Sequence, residues 1–299
     1  MMMNDSPPSA RRRAVFSCAV GLLGTLLLVS CGGNNEGAQP PDASPPPGIS
    51  SAGQWLERGA AAAGQMKKYA FELQMTQGLG PVGKAARSDV RVDMQGKVER
   101  EPLKLDQTIK SVIDGEESEL RSIVTPEAYF MYLPEYEEWS RLSPETAEEN
   151  VKTLSDLQVN PEKAIARIRQ LEPKLLAERS GSATVIRYEG NGPEASVFLA
   201  GLLKSTLGLT DSEADIAERL EVERLKVAYY LDQEHHWPMS YRIETELTAE
   251  LEPGQKTPVK QTVAGLYAKP NAISEIVVPP EALEAPDPAE LEDLFDFAA

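Results

Sequence analysis

Hydrophobic and polar residues alternate with a period of two along much of the chain, and this alternation predicts β-strands. A first block of such segments comprises residues 71–76, 89–94, 103–109, 120–125 and 129–133. After an isolated strand at 184–188, a second block comprises residues 225–232, 239–251 and 259–267. One face of each segment is apolar and the other is polar, which is typical of antiparallel sheet.

Three other segments have the spacing of helices. Apolar residues recur every three or four positions from Trp55 to Met66, ahead of the first strand. Residues 193–207 are apolar around most of the helix circumference, which predicts a buried helix. Thr210 and Glu213 have the spacing of a capping box and predict a short helix after it.

The middle of the chain contains two further helix starts. Ser143 and Asn160 are capping residues, and each is followed by proline, which suits the first helical position. The apolar stripe that follows Ser143 continues to Leu157, so one helix is predicted over this stretch. Two blocks of strands around a helical insert predict an α+β fold. We expect a large curved antiparallel half-barrel with helices packed in its concave face.

Composition narrows the classes of function. The chain has 299 residues, of which 41% are hydrophobic, so it can build a core of ordinary size. It carries 47 acidic and 30 basic residues, a net charge of −17. Nucleic acids and other polyanions are therefore not expected as partners, because binding them requires a basic surface. With two cysteines and two histidines, neither a disulfide scaffold nor a zinc ribbon is expected.

The N-terminus has the pattern of an export signal. Arg11, Arg12 and Arg13 precede a short apolar run at 14–29, which ends in the sequence Leu-Val-Ser-Cys. These four residues resemble a bacterial lipobox. The resemblance implies a signal peptide at residues 1–30, removed by cleavage, and a diacylglycerol group on Cys31 at the extracytoplasmic face of the cell membrane. An uncleaved membrane anchor is the alternative.

Two flanking segments lack the periodicity of folded elements. Residues 31–50 are rich in Pro, Gly and Asn, and we interpret them as a tether. Residues 280–299 contain seven acidic residues and neither Lys nor Arg, which indicates an acidic tail. Such a tail either frays or docks on a protein partner through its apolar residues. The single folded domain is predicted at residues 51–279.

Candidate chemistry is sparse. His235 and His236 are adjacent, so on a strand they would point to opposite faces, and a hairpin turn is the preferred interpretation over a metal site. The acidic runs at 116–119 and 135–138 lack the spacing of a calcium loop. Phosphate-loop, nucleophile-elbow and zinc-protease motifs are not found in the sequence. The sequence therefore predicts a non-catalytic protein without cofactor or metal.

The order of elements is similar to that of the LolA and LppX/LprG group of lipoprotein and lipid carriers, and to a poorly characterised family of Gram-positive lipoproteins. The segments that carry this resemblance are residues 66–69, 129–139, 230–241 and 271–280, which together span most of 52–280. The resemblance implies a hollow that holds acyl chains.

Apolar strand faces opposite the apolar helix give the candidate cavity. Its residues are Met75, Val92, Phe198, Leu199, Leu202, Leu203, Val227, Tyr229 and Ile243. We therefore expect a membrane-anchored lipoprotein that binds a hydrophobic ligand. An envelope sensor, or a protein-interaction module that uses the acidic tail, is the alternative on the same fold.

Overall fold

A computed structural model describes residues 51–80, 87–207, 212–252 and 254–286, and in them 11 strands form one antiparallel sheet. The first meander contains β1 (Lys68–Leu79), β2 (Ser88–Arg100), β3 (Leu103–Ile113), β4 (Glu116–Val124), β5 (Tyr129–Leu133) and β6 (Glu138–Arg141). The second contains β7 (Leu176–Ser180), β8 (Ala183–Gly190), β9 (Leu220–Asp232), β10 (Pro238–Glu252) and β11 (Gln255–Ala268). The predicted signal peptide, the tether and residues 287–299 lie outside the described residues.

The strand order is β6-β5-β4-β3-β2-β1-β11-β10-β9-β8-β7. The two meanders therefore join where β1 pairs with β11, with Phe71 opposite Tyr267 and Met75 opposite Val263. The edge strands β6 and β7 lie at opposite ends of the sheet, which is not closed into a barrel. The predicted α+β class with an open antiparallel half-barrel is confirmed.

The helices are α1 (Ala52–Gly64), α2 (Pro144–Lys152), α3 (Asp156–Val159), α4 (Pro161–Ile168), α5 (Pro193–Leu207), α6 (Glu213–Glu218) and α7 (Pro280–Leu283). Ser143 and Asn160 cap α2 and α4 as predicted, and each helix has proline in its first turn. The capping residue of α6 is Ser212, which accepts a hydrogen bond from the Asp215 amide, and not Thr210.

One predicted helix is broken in two. The helix that begins after Ser143 ends at Lys152, and α3 starts after three intervening residues. Ser155 causes this restart, because its hydroxyl caps α3 by accepting a hydrogen bond from the Leu157 amide. The short edge strands β6 and β7 were not predicted, because they contain too few apolar residues to show an alternation.

Two hydrophobic clusters lie on opposite faces of the sheet. The main core combines the inner strand faces with α1, α3, α4 and α5. A smaller outer cluster contains Ile123, Phe130, Ile276 and Ala282. The segment before α7 is held on this outer face, since the Glu99 carboxylate accepts a hydrogen bond from the Ile276 amide at 2.7 Å. Packing therefore extends to Ala282, past the domain boundary predicted at 279.

Candidate functional site

The inner face of the sheet is packed very differently in its two meanders. Strands β8–β11, with α1, α4 and α5, form what we call the filled half. Its inner side chains, such as Ile186, Val227 and Ile243, lie within the main core cluster and are almost completely buried. Strands β2–β6, with α2, form the open half. Strand β1 lies between the halves.

Most of the inner face of the open half remains accessible. Val98, Leu105, Val124 and Tyr129 form one buried row across β2–β5. Further along the same strands and on the same face, the apolar residues are only partly buried: Val92, Met94, Ile109, Leu120 and Met131. The helices therefore cover one end of this half and leave an apolar surface beyond it.

The nine residues of the predicted cavity are divided between these regions. Six of them pack together in the core of the filled half: Phe198, Leu199, Leu202, Val227, Tyr229 and Ile243. Met75 is partly buried against this core, and Leu203 is half-buried on α5. Val92 lies in the open half. Six of the nine predicted side chains therefore lie together in the hydrophobic core of the filled half.

An apolar-lined space lies elsewhere, under α2. This α2 cavity has a volume of about 450 Å³ and sits between α2 and the ends of β3, β4 and β5. Its apolar lining consists of Pro102, Leu103, Val124, Pro126, Ala128, Tyr129, Leu142, Pro144, Ala147 and Val151. Thr125 and three charged residues, Glu127, Arg141 and Glu148, complete the lining. None of the nine predicted residues lines this cavity.

Two turns set the geometry of the α2 cavity. In the β4–β5 turn, the Thr125 hydroxyl accepts a hydrogen bond from the Ala128 amide at 3.1 Å, and the Thr125 amide donates to the Ala128 carbonyl. At the other side, the Leu142 amide donates to the Tyr129 carbonyl at 2.9 Å. The Ser143 cap then starts α2, whose Ala147 and Val151 face the cavity.

A second, polar cavity adjoins the first. It has a volume of about 530 Å³ and lies between the β2–β3 turn and α2, α3 and α4. The two cavities share Leu103 and Val151 in their linings. The remaining residues of the polar cavity are Arg100, Glu101, Lys152, Leu154, Asp156, Val159, Asn160 and Lys163.

Several ion pairs fix the charged groups of the polar cavity. Arg100 donates to the Ala63 carbonyl at 2.8 Å and to the Asn160 side chain at 3.2 Å, so its guanidinium joins α1 to α4. Lys152 pairs with Glu148 at 2.6 Å, and this hydrogen bond and charge lower the pKa of the Glu148 carboxyl. Lys67 lowers the pKa of Glu101 in the same way.

Buried tyrosines hold α3 in place beside the polar cavity. The hydroxyls of Tyr241 and Tyr267 donate to the Leu157 carbonyl, and that of Tyr69 donates to the Gln158 carbonyl at 2.9 Å. Burial raises the pKa of all three phenols. These phenols therefore remain protonated donors, and they satisfy carbonyls that the short helix leaves free.

A series of hydrogen bonds between buried side chains connects α3 to the open half. The Gln158 side chain donates to Gln107 on β3, and Gln107 donates to the Ser122 hydroxyl at 3.1 Å. Gln107 is a polar residue on the inward, otherwise mostly apolar face of β3. Its inward position on that strand was the available signal, because a buried polar residue needs a partner.

The adjacent histidines have a structural role, and the described part of the chain contains no metal site. His235 and His236 lie in the β9–β10 turn, where the Asp232 carboxylate accepts from the His235 amide. This confirms the turn interpretation. Within residues 51–80, 87–207, 212–252 and 254–286, no group of three or more His, Cys, Asp or Glu side chains could hold a metal ion. Within the same ranges, every helix is too short or too polar to cross a bilayer.

Comparison with known proteins gives a family but no assigned activity. A family model described as "Family of unknown function (DUF6612)" matches residues 51–287. No curated protein matches the chain.

Three solved structures show distant likeness. One, titled "Lipid-protein interactions in lipovitellin", has 7% identity and a TM-score of 0.32, covering 71% of this chain and 26% of its own. A LolA superfamily protein from Nitrosomonas europaea has 10% identity and a TM-score of 0.21, covering 77% and 96%. A DUF1329 family protein from Desulfovibrio piger has 8% identity and a TM-score of 0.26, covering 74% and 92%. At these TM-scores the likenesses carry no argument about function.

Proposed function

The chain belongs to the DUF6612 family, whose function is unknown, and from the geometry of its own site we propose that it binds a hydrophobic ligand in the α2 cavity. The observation that carries the proposal is the apolar lining of this space by Leu103, Val124, Leu142 and Val151. Its volume of about 450 Å³ falls within the range of small-molecule sites.

The open half carries a second apolar surface on the same face of the sheet, where Met94, Ile109 and Leu120 are partly exposed. The buried Leu105 and the Gln107–Ser122 hydrogen bond lie between this surface and the α2 cavity, so the ligand is expected within the cavity itself. Each buried methylene contributes about 0.8 kcal/mol. Binding of this kind requires no reacting group, and we propose that the protein acts without catalysis.

Ligand binding is tested on protein purified without detergent. Native mass spectrometry should find co-purified lipid, and a fluorescent neutral acyl probe should bind to the delipidated protein. Ala147→Trp should weaken probe binding about tenfold or more, because the indole occupies the cavity. Glu149→Trp is the matched control, since Glu149 is exposed on the same helix. No co-purified lipid together with no probe binding would contradict the proposal.

We further propose that the folded domain is held at the extracytoplasmic face of the membrane by lipid on Cys31. The support is the lipobox-like sequence after the apolar run at 14–29. Cys31→Ser should abolish incorporation of an alkyne-labelled palmitate and move the protein from the membrane fraction to the soluble fraction. Unchanged labelling and unchanged fractionation of this variant would refute the anchor.

A further inference from the structure

We propose that the ligand is an anionic amphiphile, whose acyl chain lies in the α2 cavity and whose carboxylate or phosphate head lies in the polar cavity. This inference rests on the proposed function and names the class of ligand. The two cavities adjoin at Leu103 and Val151, which belong to both linings, and the proposed ligand spans them past these two residues. One is lined mainly by apolar side chains, and the other is lined mainly by charged and amide groups.

The polar cavity is locally cationic in an acidic protein. The chain carries 47 acidic and 30 basic residues, yet the lining contributes Arg100, Lys152 and Lys163 against Glu101 and Asp156. Ion pairs join Glu101 to Lys67 at 2.7 Å, Lys152 to Glu148 at 2.6 Å and Arg100 to Glu162 at 3.6 Å. Among the described residues, Lys163 is the basic residue of the lining that is left without such a pair, so it is the main cationic contact for an anion.

Two lysines can reach the head group. Among the residues that the structure describes, no carboxylate lies within ion-pair distance of the Lys163 ammonium. Lys152 pairs with Glu148, which lines the neighbouring α2 cavity. Ammonium groups bind phosphate and carboxylate as point charges, so they accept heads of varied shape. Arg100 is held by hydrogen bonds to the Ala63 carbonyl of α1 and to the Asn160 cap of α4, so it contributes a fixed positive charge to the polar cavity.

The measurement compares two ligands with the same chain. 1-Palmitoyl lysophosphatidylglycerol is anionic and monopalmitoylglycerol is neutral, and each competes against the neutral fluorescent acyl probe. The wild-type protein should bind the anionic ligand about tenfold more tightly at low salt, and added salt should reduce this preference. Inorganic phosphate alone should not displace the probe, because the chain supplies most of the affinity.

Two double variants locate the effect. Lys152→Gln with Lys163→Gln should remove the preference for the anionic ligand and leave the affinity for the neutral one. Lys110→Gln with Lys226→Gln makes the same change of net charge on the outer face, and it should preserve the preference. Thermal melts of the wild-type protein and both double variants verify that all three are folded.

The outcomes separate this inference from the proposed function. If neither ligand binds, the proposed function fails. If both bind equally to the wild-type protein, or if the preference survives loss of both cavity lysines, the anionic class or its location is wrong while hydrophobic binding stands. Displacement of the probe by inorganic phosphate would show a site for free anions, and it would overturn the inference of an amphiphile.

Discussion

The inner face of the filled half packs against three helices, whereas that of the open half meets α2 at one end of the sheet. Both faces come from strands with the same alternation of apolar and polar residues. They differ in the side chains that point inward. The filled half presents Tyr229, Tyr241 and Tyr267 to the helices, and the open half presents Gln107 and several serines. The packing of the helices against these faces therefore decides which half contains the α2 cavity.

The largest expected contrast is between core truncations in the two halves. Phe198 is 2% exposed on α5, and Phe198→Ala should lower the free energy of unfolding by about 3–5 kcal/mol, because it leaves a cavity among rigid neighbours. Met94→Ala, on the partly exposed face, should cost less than about 1 kcal/mol. Urea denaturation measures both values. Equal losses would remove the distinction between the halves.

A smaller effect is expected where tyrosines hold α3. Tyr267→Phe removes the hydrogen bond of 2.6 Å to the Leu157 carbonyl and leaves that buried acceptor with only the longer bond of 3.4 Å from Tyr241, at a cost of about 1–2 kcal/mol. Tyr229→Phe is the matched variant, because its buried hydroxyl faces the Tyr267 hydroxyl and donates to no helix carbonyl among the described residues. It should change the free energy of unfolding by less than about 0.5 kcal/mol. A larger loss of unfolding free energy for Tyr229→Phe than for Tyr267→Phe would contradict the proposed role of the Tyr267 hydrogen bond in holding α3.

The smallest effect concerns acid stability in the filled half. Lys174 and Tyr188 each donate to the Glu194 carboxylate at 2.7 Å, and they lower the pKa of Glu194 from 4.5 to about 2. The folded state therefore favours the ionised form, so its contribution to stability is present above pH 4.5 and is lost as the pH falls towards 2. The size should stay below about 1 kcal/mol, since the ion pair is partly exposed to solvent.

Glu194→Gln tests this contribution. The free energy of unfolding of the wild-type protein should fall more steeply than that of the variant as the pH is lowered from about 4.5 to about 2, because the variant has no carboxylate to protonate at this position. Urea denaturation across this range measures the slope for each protein. Parallel curves would show that the contacts of Glu194 contribute nothing to stability.

The long strands and capped helices could be predicted from local sequence, while the position of the cavity could not. Period-two alternation located β1–β5 and β8–β11, and the proline after Ser143 marked the start of α2. The α2 cavity, however, is made where Leu103, Tyr129 and Ala147 meet, and their distance depends on the break at Ser155 and on the tyrosine contacts of α3. The apolar faces recognised in the sequence had instead predicted a cavity in the filled half.

The pairing of β1 with β11 also determines the order in which the sheet can be completed. Within each meander, most neighbouring strands follow one another along the chain and can pair as soon as they are synthesised. Strand β1 gains its second neighbour only when the last strand emerges, most of the chain later. Such non-local pairing slows folding. Until β11 arrives, the nascent chain presents an open edge at β1, to which a second copy of the chain can add.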